Sequence, residues 1–338
     1  MIPVLPLSEL VTRAGEFAAV CLATPAEVSL EWAPKILAQG VDVVDLSGAF
    51  RLRAGDAAAQ EARYLQWYGT AHGQLAALAQ AQYGLAPWCG PFRRQTTADG
   101  QRLAALIANP GCYATSILMA VLPLLRAGLI DASTLVIDAK SGTTGAGRKA
   151  SEGQLFSEVD GECLPYKVGK HQHLPEIADA AQAFAGLAIE PMLATHLLNV
   201  RRGILSSHYV QAAPAFAQFT AADLSTRVQA AYTEAYAGYG LARVTDLAKL
   251  SGAPERQTLS LKRVVGSART HIAFQVTSSQ PAAPQGAGAT LASSVPRIFI
   301  FSLIDNLMKG AASQAVENLN RLHDLSVTTG LMDKDGVL

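Results

Sequence analysis

The stretch "LAALIANPGCYATSILMAVLPLLRAG", residues 103–128, decides the fold of this chain. It begins with a short apolar segment, which is typical of a buried strand, and Pro110-Gly111 then forces a turn. From Cys112 to about Ala127 the sequence predicts a helix. A strand, a tight turn and a helix in this order form the repeating unit of a parallel sheet with crossover helices.

The residues before this stretch repeat the same alternation. "FAAVCLATP" (17–25) and "VDVVDLS" (41–47) are apolar runs that predict two more buried strands. Between them, "AEVSLEWAPKILAQG" (26–40) has helical apolar spacing and ends in a glycine suited to a helix C-terminus. The first hundred residues therefore predict an α/β domain with a parallel sheet.

The second half of the chain predicts a different kind of sheet. "THLLNVRRGILSSHYVQAAP" (195–214), "RTHIAFQVTSS" (269–279) and "RIFIFSLI" (297–304) indicate strands of a more antiparallel, mixed sheet in an α+β domain. The residues at 278–296 are rich in Ala, Pro, Gly and Ser, which predicts a mobile surface loop between two strands. "DNLMKGAASQAVENLNRL" (305–322) predicts one long helix.

The composition limits the class of protein and its partners. Half of the residues are hydrophobic and 16% are charged, and Lys plus Arg equal Asp plus Glu at 27 each. A chain without a basic excess is not expected to bind nucleic acid or a membrane surface. The longest apolar run, residues 116–130, is too short to span a bilayer, and no signal peptide is recognisable. We therefore expect a cytoplasmic protein that binds a small molecule.

The four cysteines Cys21, Cys89, Cys112 and Cys163 form neither a CxxC pair nor a zinc-binding pattern, which predicts reduced thiols. Cys112 differs from the others because it begins a predicted helix, where unbonded N–H groups and the helix dipole favour a thiolate. Taken alone, Cys112 fits either a nucleophile or a small buried residue at the start of a helix.

Two further segments suit anions. "SGTTGAGR" (141–148) follows a predicted strand and offers N–H and O–H donors, ending in Arg148, which suits a phosphate or an oxyanion. An ordinary tight loop has the same composition. "THLLNVRRGIL" (195–205) places two adjacent arginines in an apolar strand pattern, which is costly unless one of them binds an anion.

The segment "YKVGKHQHLPEI" (166–177) carries two histidines, His171 and His173. No third ligand lies at a useful spacing, so we predict no metal site. A histidine that acts as general acid or base with a cysteine elsewhere in the fold is one interpretation, and a surface pair is the other.

Eight segments, in their order along the chain, resemble the N-acetyl-gamma-glutamyl-phosphate reductases of arginine biosynthesis. They cover nearly the whole chain from about residue 17 to 331 and read "VDLSGAFRL" (44–52), "WYGTAH" (67–72), "YGL" (83–85), "ANPGCYAT" (108–115), "SGTTGAGR" (141–148), "GKHQHLPEI" (169–177), "RRGIL" (201–205) and "DNLMKGAASQAVENLN" (305–320). Each segment alone is a weak indicator, whereas the ordered set is specific.

The resemblance implies an enzyme that reduces N-acetylglutamyl 5-phosphate to the 5-semialdehyde with NADPH, through a thioester on Cys112. It implies His171 as the acid/base partner of the cysteine, with His173 as the alternative and as a substrate-binding residue. It also implies a homodimer or homotetramer. A Rossmann-like dinucleotide-binding domain would comprise residues 1–111 and 305–338, and a catalytic and substrate domain residues 112–304.

The same resemblance implies the residues that bind substrate and cofactor. Phosphate would be held by Arg51, Ser141, Gly142 and Arg148, and a substrate carboxylate by Arg202. NADP would contact Ala23, Thr24, Pro25 and Asn306.

The sequence departs from the family near its start. The family opens with a strand and a GxxGxxG loop that holds the NADP pyrophosphate, whereas the glycines before residue 45 are Gly15 and Gly40. The resemblance therefore implies an incomplete dinucleotide-binding domain. Two explanations are open: the sequence is a truncated reading of a longer chain, or the protein is a variant with weak cofactor binding. Asn199-Val200, in place of the usual Pro-Met pair, is a smaller departure.

Other functions remain open at this stage. Reductases of aspartyl phosphate or of a carrier-bound aminoadipyl phosphate share the chemistry. The "HQHLPEI" and "SGTTGAGR" segments favour the acetylglutamyl enzyme over the first, and the neutral charge counts against an acidic carrier. A non-catalytic subunit that has lost cofactor binding is favoured by the missing glycine loop, but it would not need the cysteine, the histidines and the arginines. A Cys-His hydrolase, in which water reacts with the thioester, is a third alternative.

Overall fold

The chain forms two units in the computed structural model, in which residues 6–94, 96, 99–100, 102–147, 151–250, 255–278 and 295–332 are described. Unit 1 comprises Met1–Gly111 and Ala311–Thr329, and unit 2 comprises Cys112–Gly310 and Gly330–Leu338. The sequence-based division assigned everything from residue 305 onward to the first domain. In the structure the residues from 305 to Gly310 belong to unit 2, where they contact Cys112 and the glycine-rich loop.

Unit 1 contains a parallel sheet with helices between its strands. Before Gly111 its elements are α1 (Leu7–Arg13), β1 (Ala19–Leu22), α2 (Ala26–Leu37), β2 (Asp42–Asp45), α3 (Ala57–Tyr68), α4 (Leu75–Gln80), β3 (Gln82–Tyr83) and β4 (Leu106–Ala108). The four strands pair in parallel in the order β1-β2-β4-β3. This confirms the predicted parallel sheet with crossover helices, in which the carboxyl ends of all strands share one edge.

The core of unit 1 lies on both faces of this sheet. On one face, Val43 and Leu106 pack with Ile36 of α2. On the other face, Val44 and Ile107 pack with residues after 311. Strands buried on both faces read as continuous apolar runs, which is why the sequence predicted them.

Unit 2 contains a seven-stranded mixed sheet. Its elements are α5 (Cys112–Arg126), β5 (Val136–Gly142), α6 (Phe156–Val159), β6 (Cys163–Tyr166), α7 (His173–Ala185), β7 (Met192–Leu198), β8 (Ile204–Gln211), α8 (Ala221–Ala235), β9 (Ala242–Asp246), α9 (Glu255–Thr258), β10 (Thr270–Thr277) and β11 (Arg297–Ile304). The strand order is β6-β7-β5-β8-β11-β10-β9, in which β5/β7 and β9/β10 are parallel and the other pairs antiparallel. The predicted mixed sheet is confirmed. The predicted surface loop at 278–296 lies mostly outside the described residues.

Helix α5 is the buried centre of unit 2. Every residue from Tyr113 to Leu125 is buried, and the helix packs against β8, β11, α7 and α8. Three buried hydroxyls join it to the sheet: Ser116 Oγ lies 2.8 Å from Ser206 Oγ and 3.2 Å from Ser302 Oγ. Small polar residues at this contact let the helix approach the strands closely, and each hydroxyl finds a partner there.

The predicted long helix at 305–322 is wrong over residues 305–312. Met308–Ala312 form a turn of π-helix, and the α-helix α10 extends only over Ser313–Leu322. Helix α10 belongs to unit 1, where Ala315 and Leu322 pack with Val44 and Ile107. Among the described residues no helix is long and apolar enough to cross a membrane.

Candidate active site

Cys112 is the first residue of α5, directly after the Pro110-Gly111 turn. Its side chain is half-buried and carries a thiol. Because the rest of the helix is buried to Leu125, packing fixes the helix and therefore the position of the sulfur. The unbonded N–H groups at the start of a helix favour negative charge on this sulfur.

Two tyrosines and two histidines form one cluster of rings next to Cys112. The ring centroids of His171 and His173 are 4.6 Å apart, and those of Tyr113 and Tyr166 lie 5.3 and 5.7 Å from His171. Burial, and then the charge of the Cys112 sulfur, raise the pKa of Tyr166 to about 12, against a hydrogen bond to Tyr113 that lowers it. Both tyrosines are within electrostatic reach of the sulfur and contact His171, so the structure brings the predicted cysteine and histidines together.

His171 is held as a neutral imidazole with a defined tautomer. Its Nδ1 accepts a hydrogen bond from the backbone N–H of His173 at 3.2 Å, so the proton of the neutral ring is on Nε2. Burial, followed by the positive charges of His173 and Lys167, lowers the pKa of His171 to about 2, although the charge of Glu176 acts to raise it. At neutral pH the ring therefore presents an Nε2–H donor.

The turn between β6 and α7 places the two histidines. Gly169 adopts a φ of 66°, in the left-handed region that favours glycine, and the chain then enters α7 at His173. The N–H of Leu174 donates to the carbonyl of His171 at 2.9 Å. Within the described ranges, no three His, Cys, Asp or Glu side chains come together as a metal site.

The glycine-rich loop after β5 is closed onto the turn at residues 200–203. The N–H groups of Gly142, Thr143 and Thr144 donate to carbonyls of that turn at 2.8–3.1 Å. The expectation that these amides are donors available to an anion is therefore wrong, because carbonyls of residues 200–203 accept their hydrogen bonds. Arg148, at the end of the loop, lies outside the described residues.

Ser141 and Asn306 belong to the same loop region. A Cβ built on Gly145 would lie 2.5 Å from Ser141 Oγ and 3.9 Å from Asn306 Nδ2. Asn306 Oδ1 accepts from the N–H of Gly203 at 2.7 Å, and its Nδ2 donates to Thr144 Oγ1 at 3.0 Å. The amide predicted to contact the nicotinamide thus ties the glycine-rich loop to the turn at Gly203.

Arg202, the predicted ligand of a substrate carboxylate, is paired with a carboxylate of the protein. Its Nη2 and Nε lie 2.7 and 3.3 Å from the oxygens of Asp305, whose side chain is fully buried. Asp305 also accepts from the N–H of Gly266 at 2.7 Å. The Arg202 side chain remains 30% exposed.

Arg51, a predicted phosphate ligand, lies in unit 1 and is nearly buried. Its Nε donates to the carbonyl of Asn109 at 2.8 Å, and its Nη2 donates to the carbonyl of Leu46 at 2.7 Å. The guanidinium therefore joins the carboxyl ends of β2 and β4, just before the Pro110-Gly111 turn.

The predicted cofactor residues Ala23, Thr24 and Pro25 also lie in unit 1. They connect the end of β1 to the start of α2, and Thr24 Oγ1 lies 2.8 Å from Ser29 Oγ in the first turn of that helix. The other predicted site residues that the structure describes, namely Cys112, Ser141, Gly142, His171, His173, Arg202 and Asn306, all lie in unit 2.

Four residues of this region escaped sequence reasoning. Tyr113 follows Cys112 in "NPGCY", and Tyr166 begins the segment that contains the two histidines. Their position next to these candidate residues in the sequence was the signal that could have identified them. Asp305 begins "DNLMKG", where its buried carboxylate had no indication apart from the neighbouring asparagine. Gly310 had no indication in the sequence, because its close contact with Cys112 is visible only in the structure.

Two domain families match the chain. The model described as "Semialdehyde dehydrogenase, NAD binding domain" matches residues 7–93. The model described as "Semialdehyde dehydrogenase, dimerisation domain" matches residues 112–283. The first match lies within unit 1 and the second within unit 2.

Proteins of known name give a finer comparison. The N-acetyl-gamma-glutamyl-phosphate reductase of Geobacillus stearothermophilus is 37% identical over 317 residues, which cover 94% of this chain and 79% of the relative. That of Brevibacillus brevis is 37% identical over 312 residues, covering 92% and 78%. The crystal structure of aspartate semialdehyde dehydrogenase II from Vibrio cholerae shares the fold, with a TM-score of 0.58 at 16% identity over 92% of this chain and 80% of that one. The chain therefore belongs to the N-acetyl-gamma-glutamyl-phosphate reductase family, within the semialdehyde dehydrogenases.

Proposed function

We propose that this chain reduces N-acetyl-L-glutamyl 5-phosphate to N-acetyl-L-glutamate 5-semialdehyde and phosphate with NADPH, in arginine biosynthesis. The observation that carries the proposal is a thiol at the N-terminus of a buried helix, with a buried neutral histidine in the same cluster. Family membership supplies the substrate, because relatives that match over 94% of the chain carry that reductase name.

Cys112 acts as the nucleophile. Its thiolate sulfur attacks the acyl carbon, the S–C bond forms, and the C–O bond to phosphate breaks, so that phosphate leaves and a thioester remains on Cys112. A thioester accepts a hydride far more readily than a carboxylate does. The difficult reduction of a carboxylic acid derivative is thereby divided into two easier steps.

His171 acts as the acid/base partner, and it works first as a hydrogen-bond donor. Its Nε2–H is available because Nδ1 is occupied by the N–H of His173. Such a donor stabilises negative charge on the substrate carbonyl oxygen when sulfur adds to the acyl carbon. His173 is the alternative for this role and otherwise contributes to substrate binding.

The anionic groups of the substrate need donors and cations. For the phosphate we propose the side chains of Ser141 and Arg148. For the carboxylate we propose Arg202. Asp305 fixes the plane of this guanidinium, and a fixed plane favours bidentate recognition of a second carboxylate by its remaining N–H groups.

NADPH supplies a hydride when it is bound, and unit 1 has residues that suit it. Ala23, Thr24 and Pro25 lie at the carboxyl end of a parallel strand, where such folds bind nucleotides. On α10, Ser313 Oγ and Gln314 Oε1 are buried, with no hydrogen-bond partner among the described residues. Buried acceptors of this kind suit the hydroxyl and amide donors of a dinucleotide.

We propose that copies of the chain associate as a homodimer or homotetramer through unit 2. The sheet face opposite α5 carries Met192, Val136, Tyr209 and Phe299 side by side on four neighbouring strands. Met192 is 72% exposed, and Val136 and Tyr209 are each 38% exposed. An exposed apolar row on a sheet face suits a second copy, in agreement with the dimerisation-domain family that matches three of these four strands. Reduced thiols and a biosynthetic reaction suit a cytoplasmic location.

The test is phosphate-dependent oxidation of the semialdehyde by the purified chain, followed as NADPH absorbance. N-acetylglutamate 5-semialdehyde should be oxidised only when NADP and phosphate are both present. Aspartate semialdehyde is the matched control substrate and should react far more slowly. Oxidation of aspartate semialdehyde without oxidation of the acetylated substrate would overturn the proposed substrate.

A further inference from the structure

We infer that Gly310, in the π-helical turn before α10, is a positioning residue for Cys112. The inference rests on the proposed role of Cys112 as the nucleophile. Gly310 does not touch substrate in this scheme; it acts by setting where the first residue of α5 can lie.

The contact between the two residues leaves no room for a side chain at position 310. A Cβ built on Gly310 would lie 2.8 Å from Cys112 Cβ and 3.3 Å from Cys112 Cα. Ordinary contacts begin at 3.4 Å, so the first distance is about 0.6 Å too short. Neither Cys112 atom can move by a change of rotamer, because Cα and Cβ shift only with the backbone.

The turn that carries Gly310 is fixed by a buried carboxylate. The N–H of Gly310 donates to the carbonyl of Asp305 at 2.9 Å, which is the wider hydrogen-bond spacing of a π-turn. The Asp305 side chain accepts from Leu307 N–H at 2.8 Å and Met308 N–H at 3.2 Å, and it pairs with Arg202 at 2.7 Å. Asp305 therefore holds both the turn and its connection to the neighbouring strands.

A buried lysine fixes the turn from its other side. Lys309 is fully buried, and its Nζ donates to the hydroxyl of Tyr239 at 2.7 Å. A buried ammonium group that has lost this partner would be costly, so the turn cannot easily rotate away. With Asp305 and Lys309 on either side, a side chain at position 310 would displace Cys112 rather than the turn.

Displacement of the nucleophile should lower turnover more than substrate affinity. Misplacement of reacting atoms by about 1 Å costs up to about 100-fold in rate. We expect Gly310→Ala to lower kcat by roughly 10-fold to 100-fold, with KM changed by less than about threefold. Gly153→Ala is the matched control, because a Cβ built on Gly153 meets nothing within 4 Å and its φ is not positive.

A double-mutant cycle tests the contact without any measurement of activity. Gly310→Ala should lower the Tm of the otherwise unchanged chain by a few degrees. In a Cys112→Gly background the opposing Cβ is absent, so the same substitution should lower the Tm by less than half as much. Equal losses of Tm in the two backgrounds would overturn the contact between Gly310 and Cys112.

Acyl-enzyme formation separates this inference from the proposed function. The unsubstituted chain and the Gly310→Ala variant are mixed with N-acetylglutamyl 5-phosphate and followed by intact mass. No acylation of the unsubstituted chain would overturn the proposed function. Acylation of both proteins at the same rate, with equal kcat, would overturn the positioning role of Gly310 alone. Acylation at least about tenfold slower in Gly310→Ala, with Gly153→Ala unchanged, supports it.

Discussion

Replacement of His171 by glutamine should remove the proposed acid/base partner while leaving the site folded. We expect kcat to fall by roughly 10²–10⁴, the range for loss of a general acid or base. Because burial lowers the pKa of His171 to about 2, its protonation should not limit turnover between pH 5.5 and 8. We therefore expect the kcat–pH profiles of the unsubstituted enzyme and of His171→Gln to have the same shape near pH 6.5.

The same pKa predicts how stability depends on pH. Between about 2 and the ordinary value of 6.5, the unfolded chain binds a proton at His171 that the folded chain does not bind. The free energy of unfolding should therefore fall as the pH falls below 6.5. At pH 5, which is 1.5 units below 6.5, this histidine alone contributes a loss of about 2 kcal/mol relative to pH 8.

Urea unfolding at pH 5 and pH 8 measures this contribution. The His171→Gln variant should lose about 2 kcal/mol less than the unsubstituted chain between the two pH values. His323→Gln is the matched control, because His323 is exposed, and it should retain the full dependence. If the free energy of unfolding of His171→Gln depends on pH as strongly as that of the unsubstituted chain, the buried neutral state of this histidine is refuted. If kcat declines near pH 6.5 only when His171 is present, its role as an Nε2–H donor is refuted.

Three other substitutions probe separate parts of the molecule. His173→Asn should raise KM and lower kcat by less than about tenfold in steady-state kinetics. A larger loss of kcat for the His173 variant than for the His171 variant would exchange the two roles. Met192→Glu puts a charge on an apolar sheet face, where Met192 is 72% exposed. The variant should therefore be more monomeric in light scattering, and an unchanged oligomer would place the interface elsewhere. Tyr232→Phe removes a buried 2.7 Å hydrogen bond to the carbonyl of Ala120. Urea unfolding should show a free energy of unfolding lower by about 1–2 kcal/mol, with kcat unchanged. No loss of stability would mean that the freed carbonyl finds another partner.

The sequence predicted the parts of the fold that depend on local apolar pattern. The strand Leu106–Ala108, the turn at Pro110-Gly111 and the helix from Cys112 were all predictable, because a buried strand and a buried helix need continuous apolar residues. The strand Arg297–Ile304 has the predicted ends.

The π-turn before α10 could not be predicted in this way. Apart from Gly310, the residues from Leu307 to Ala312 are good helix formers, so local propensity favours one continuous helix across this segment. Long-range contacts override that propensity: Lys309 reaches Tyr239, and Gly310 packs against Cys112. The sequence contains both residues but not the distances between them.

The candidate site was predictable in its residue types and less so in their partners. Cys112, His171 and His173 were identified from motifs, and they lie together in unit 2. The donors assigned to anions proved to be partly engaged within the protein. Arg202 pairs with Asp305, and the amides after Ser141 bond to the turn at 200–203. Such pairings join segments far apart in sequence, and no local pattern specifies them.

The covalent step at Cys112 is tested most directly by mass spectrometry of the protein after reaction with N-acetylglutamyl 5-phosphate. The thioester mechanism predicts a gain of one N-acetylglutamyl group, located on Cys112 by peptide mapping and absent in Cys112→Ser. Each of Cys21→Ala, Cys89→Ala and Cys163→Ala should still be acylated and should retain most of its turnover. Acylation at another residue, or normal turnover by Cys112→Ser, would contradict the mechanism.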